Sequence, residues 1–112
     1  MSEEILMRIT YIKHSGFTAE WEDAICVFDW AEGELPPIDP EKRLFVFVSH
    51  VHADHFSPSI FGGFESSKHR TFILSEDIPR DAERERGLTV LRMGPDQRRV
   101  FNGGKAGPGR WA

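Results

Sequence analysis

The sequence predicts an α/β layered domain, and three observations predict it. Apolar residues alternate with polar ones near the N-terminus, an uninterrupted apolar run occupies Leu44-Phe45-Val46-Phe47-Val48, and helix-start signals fall between further strand-like segments. At 112 residues the chain is one domain or less. Its 39% hydrophobic and 29% charged content is that of a globular chain. No apolar run approaches the roughly 18 residues that span a bilayer. The opening Met1-Ser2-Glu3-Glu4 lacks the basic start of a signal peptide, and a single cysteine, Cys26, fits a reducing compartment. A cytoplasmic location without membrane contact is expected.

Met7, Ile9 and Tyr11 alternate with Arg8 and Thr10, the period of a strand with one buried face. After a break at Ser15-Gly16, Phe17 to Trp21 and Ala24 to Asp29 read as a hairpin turning at Glu22-Asp23. Pro36, Pro37 and Pro40 make the next stretch a loop, since proline denies hydrogen bonds to helix and sheet alike. Leu44–Val48, apolar at every position, suits a central strand covered on both faces. Ser57-Pro58 has the order of a helix start, N-cap then first helical position, and Gly62-Gly63 keeps that helix short. Thr71–Leu74 reads as a strand. Ser75 caps an expected second helix through Glu76, Pro79 and Arg86 that stops at Gly87, and Leu88–Leu91 returns as a strand.

Residues 1–97 hold 10 Lys and Arg against all 18 Asp and Glu, while residues 98–112 hold 4 basic residues and no acid. An acidic body offers no broad footprint for nucleic acid, so such a partner is disfavoured. Residues 98–112 are rich in glycine and arginine with little apolar patterning, and are expected to lie outside a folded unit spanning 1–97, as a frayed end or as sequence foreign to the fold.

Chemistry concentrates in His50-Val51-His52-Ala53-Asp54-His55, where four metal-capable side chains fall within six positions. Histidines at i and i+2 share a face only on an extended backbone, as expected directly beyond a buried strand. His50 and His52 can therefore address one metal, and Asp54 and His55, where the loop turns, a second position nearby. The site then lies at the C-terminal end of a central strand, where α/β folds commonly place ligands. The plain alternative is a polar loop of solvated histidines. That alternative is preferred for His69, which sits among Ser66, Ser67, Lys68 and Arg70. Cys26, inside an apolar strand, reads as a small core residue.

Ser49-His50-Val51-His52-Ala53-Asp54-His55 resembles the H-x-H-x-D-H motif of the metallo-β-lactamase superfamily. The N-terminal strand, the turn His14-Ser15-Gly16-Phe17, a strand ending in Asp29 and the apolar strand before the motif are similar as well. The likeness is greatest to the branch of metal-dependent hydrolases that includes ascorbate-6-phosphate lactonase-like proteins, and it covers residues 5–97. It implies a four-layer αββα sandwich of two similar halves, of which this chain corresponds to the N-terminal one. It implies that His50 and His52 bind a first metal and Asp54 and His55 a second, with one or two zinc ions, or manganese or iron in their place. Asp54 would also position the attacking water or carry its proton. Asp29 would orient a ligand histidine through its other ring nitrogen, or else simply cap its strand. His14 would line the pocket, or else be structural.

Family members also supply a further metal-binding histidine, a bridging aspartate and a final histidine, and nothing after His55 matches these. Asp77, Asp81 and Asp96 lie in no corresponding motif, so by this resemblance each metal would receive two side chains from the chain, where catalytic zinc normally has three protein ligands. Phe45 and Phe47 on one face of their strand, and Val46 and Val48 on the other, cannot all be covered by two short helices. Self-association, or a partner over the exposed sheet, is therefore expected. Two functions follow. One is a hydrolase using metal-activated water on an ester, lactone, amide or phosphoester of a small molecule. The other is a catalytically inactive remnant or half-domain that acts only through association. A nuclease like the RNA-processing members of the superfamily ranks last, given the acidic body.

Overall fold

A computed structural model describes residues 7–52 and 55–101 of the chain. Six strands form one sheet in sequence order: β1 (Arg8–Lys13), β2 (Gly16–Glu20), β3 (Ala24–Phe28), β4 (Arg43–Val48), β5 (His69–Ser75) and β6 (Thr89–Met93). β1, β2 and β3 pair antiparallel through tight turns, and β3 to β6 pair parallel. The sheet is thus mixed, and among the described residues its helical content is one 3₁₀ turn, Pro58–Gly62. No helix is long and apolar enough to cross a membrane among these residues.

Parallel neighbours need connections that travel back across the sheet, and all three cover the same face. Ile25 and Val27 of β3, Leu44, Val46 and Val48 of β4, and Phe72 and Leu74 of β5 line that face. Leu35 and Ile38 from the β3–β4 loop, Ile60, Phe61 and Phe64 from the β4–β5 connection, and Ile78 from the β5–β6 connection pack onto them. Removing each large side chain of this core from water contributes about 1.5–3 kcal/mol.

The opposite face is apolar but only half-covered. Phe17, Phe28 and Phe47 stack across β2, β3 and β4 with centroids 4.7 and 4.8 Å apart, and Phe101 packs on Phe45 at 5.1 Å. Leu44–Val48 was expected to be enclosed on both sides; in fact Leu44, Val46 and Val48 are buried whereas Phe45 and Phe47 are half-buried. Cys26 shares the half-covered face, where burial pushes its thiol up to about 11 against the lowering influence of Arg43.

The short helix expected at Ser57-Pro58 is that 3₁₀ turn, and Ser57 makes no side-chain cap to it. The second helix, expected from Ser75 through Arg86, does not form. Residues 76–88 run as successive turns, because β5 keeps Ser75 and Pro79 removes a donor. The Asp81 carboxylate then accepts the Arg84 N–H (3.1 Å), closing a single turn. This segment is fastened instead by Arg92 of β6. Its guanidinium meets the two Glu85 carboxylate oxygens at 3.0 and 2.8 Å and donates to the Ile78 and Pro79 carbonyls, both at 2.9 Å.

That bonding holds the Glu85 carboxyl below its ordinary value of 4.5, chiefly through the Arg92 hydrogen bonds. A carboxyl depressed in the folded state stabilises it above the unfolded value, and the contribution fades as pH falls through and below that value. Glu85→Gln should therefore cost about 2 kcal/mol at pH 7 in urea unfolding, where it leaves Arg92 without its counter-charge. The gap between variant and parent should close as the pH is lowered below 4.

Candidate metal centre

The parallel ladder between β3 and β4 reaches one residue past β3, where the Asp29 N–H donates to the Phe47 carbonyl at 2.8 Å. Asp29 then adopts φ 50°, a left-handed conformation that aspartate tolerates better than most residues, and the chain turns away. This places its carboxylate between the exits of β3 and β4. Oδ1 accepts the Ser49 N–H at 2.7 Å, and Oδ2 accepts the Ser49 hydroxyl at 2.7 Å and lies 3.1 Å from His55 Nδ1. A carboxylate oxygen accepts hydrogen bonds, so this contact favours the His55 tautomer with its proton on Nδ1 and its lone pair on Nε2.

Close approach explains the glycine in His14-Ser15-Gly16-Phe17. A Cβ at Gly16 would stand 3.0 Å from the Asp29 carbonyl and 3.2 Å from that of Lys13. The β1–β2 turn thus presses against the backbone that aims the carboxylate.

His55 returns toward β4 because the His52 carbonyl accepts the N–H groups of both His55 and Phe56 at 2.9 Å. Val51 and Phe56 anchor the loop on the core. The His50 ring lies 6.1 Å from that of His52 and 5.0 Å, edge-on, from that of His55. Two imidazoles on one tetrahedral zinc, with bonds of about 2.0–2.1 Å, have centroids roughly 5 Å apart, a spacing that His50 and His55 meet and that His50 and His52 exceed. Among the described residues, however, no group of three or more His, Cys, Asp or Glu side chains converges tightly enough to hold one. Asp54, expected both as a ligand and as a catalytic group, lies outside the described residues.

Beside His50 opens a cleft of 590 Å³. Phe28, Phe47, Ile73 and Met93 give it apolar walls, and Asp29, Ser49, Glu76 and Asp77 add polar ones. His14 is not among its lining residues; at φ 57° in the β1–β2 turn, its Nε2 pairs with Glu32 at 3.0 Å. His69 begins β5 opposite Arg43, at the far end of the strands from His50.

Two neighbours of the cluster were not assigned roles from sequence. Ser49 is one; it belongs to the motif stretch but is not a metal-ligand type. Asp77 is the other. Its carboxylate is within 3.4 Å of the Val51 N–H, and hydrogen bonding with Ser75, then with Val51, and the nearby His50 hold it below the ordinary carboxylate range. Its signal was topological: with β4 and β5 parallel and Val48 opposite Leu74, residues just past both must meet.

If Asp29 fastens the strand exits, Asp29→Ala should lower stability by about 2 kcal/mol in urea unfolding, and Asp29→Asn by less, since asparagine also accepts the left-handed conformation. Gly16→Ala should cost about 1–2 kcal/mol and, through the Asp29 backbone, shift the His55 ring resonances in NMR spectra. Compared with known proteins, the chain matches no family model, no curated protein and no solved structure.

Proposed function

We propose that this chain carries the metal-binding segment of a metal-dependent hydrolase of the metallo-β-lactamase type, and that its sheet is one half of an αββα sandwich. The observation that carries the reading is the grouping of His50, His52 and His55 with Asp29 bonded to the far nitrogen of His55. A carboxylate on the outer nitrogen of a ligand histidine fixes its tautomer and raises its basicity. His50 and His52 would hold one divalent ion and His55 with Asp54 a second, zinc first or else manganese or iron. Such an ion supplies Lewis acidity and a water acidic enough to attack at neutral pH. Ser49 keeps Asp29 in place, Asp29 keeps His55 in one tautomer, and Asp54 accepts or relays the proton of the attacking water. The apolar cleft beside His50 would seat the small ester, lactone or phosphoester.

The half-covered sheet face, with its row of stacked phenylalanines, supports association with a second copy or with a partner in a cytoplasmic setting. A catalytically inactive half-domain acting only by association is the second reading, favoured by the half-covered sheet face with its partly exposed row of aromatic rings.

Zinc titration of the chelator-stripped protein, followed by elemental analysis and assay on an aryl ester, a lactone and a phosphodiester, separates the two. The hydrolase reading predicts stoichiometric zinc, hydrolysis that disappears in His52→Ala, and zinc affinity weakened about 10–100-fold in Asp29→Asn. Zinc at trace level in the parent chain supports the inactive half-domain.

A further inference from the structure

The covered face of the sheet holds a second cavity, of 660 Å³, built by the β4–β5 and β5–β6 connections. Three arginines line it, Arg70 of β5 with Arg84 and Arg86 of the β5–β6 segment, against one carboxylate, Glu65. This is a local excess of positive charge in a chain whose residues 1–97 carry more acid than base. Arg84 is already partnered, with Nη1 2.9 Å from Asp81 Oδ2. Arg86 is exposed and enters no ion pair among the described residues. Arg70 is the most telling of the three: its Nη1 is buried and has no hydrogen-bond partner among the described residues. A cationic donor removed from water and left unpaired is costly, and a bound oxyanion offsets that cost by bringing charge and acceptors together.

The apolar side of the cavity is held by several contacts. Trp30 donates its indole N–H to the Gly33 carbonyl at 2.8 Å and meets Phe64 edge-to-face at 5.4 Å. Gly63 lies flush against its ring, where a Cβ would come within 2.9 Å. Phe61, buried in the core, completes the wall. A fixed indole beside guanidinium groups suits a ligand with a flat apolar body and an anionic head, since arginine forks match carboxylate and phosphate oxygens in pairs.

We propose that this cavity binds an organic oxyanion, a phosphate or carboxylate on a planar apolar body, with its head on Arg70 and Arg86 and its body against Trp30 and Phe61. The site is separate from the histidine cluster and does not depend on the hydrolase reading.

Phenyl phosphate and benzoate, titrated separately into the full chain at low salt, test it. The readout is the Trp30 indole resonance, assigned by its loss in Trp30→Phe. At millimolar concentration at least one probe should shift that resonance saturably, and the one that does identifies the head group. Arg70→Gln should weaken binding about tenfold or more, and Arg86→Gln, on an exposed residue with no folding role, severalfold. Arg98→Gln, outside the cavity, should change nothing, and a metal chelator should leave binding intact. The absence of a saturable shift with either probe, equal binding by parent and Arg86→Gln, or binding abolished by the chelator would each overturn the proposal.

Discussion

A single carboxylate joins the two strand exits on which the candidate metal centre is built. Asp29 bonds to the backbone and the hydroxyl of Ser49 and touches His55, so it binds the end of β3 to the start of the histidine loop. Charge-assisted bonds of this kind contribute about 1.5–3 kcal/mol each, more than the roughly 1–2 kcal/mol that a left-handed non-glycine residue costs. The aspartate therefore keeps its φ of 50°, and that conformation is what turns the chain away while the side chain stays between the strands. Gly16 belongs to the same arrangement, because any larger residue would push on the Asp29 carbonyl.

The parallel order of β3 to β6 distributes everything else. It sends three connections to one face and so gives the sheet a dry side and a half-covered side. It gathers the C-terminal ends of β3, β4 and β5, which brings Asp29, His50 and Asp77 to one neighbourhood although they are far apart in sequence. The arginine-lined cavity lies on the dry side, with Arg70 near the opposite end of β5. Two clusters of opposite chemical character, imidazole with carboxylate and guanidinium with indole, are thus set at different places on one small sheet.

Most strands were legible because their signals are local. The alternation over Met7–Tyr11, the apolar run Leu44–Val48 and the stretch Thr71–Leu74 each fall within an observed strand or its immediate flank, although Met7, Ile9 and Tyr11, expected to face a core, are exposed. The helix expected after Ser75 fails because a capping serine and a closing glycine are weak signals against Pro79 and against the Arg92–Glu85 pair, which needs β6 in place before it can form. The histidine cluster was readable as a run of ligand types, whereas Asp77 was not, since its relevance comes from parallel pairing. Arg70 was read only as part of a hydrophilic stretch, because nothing local reveals that one of its nitrogens is buried.

Whether Asp29 sets the tautomer of His55 is read from the imidazole ring itself. Long-range ¹H–¹⁵N correlation spectra of the imidazoles at neutral pH distinguish a protonated Nδ1 from a protonated Nε2. Neutral His55 should carry its proton on Nδ1, and Asp29→Asn should shift the population toward the Nε2 form. A His55 protonated on Nε2 in the parent chain, unchanged by Asp29→Asn, would contradict that role of Asp29.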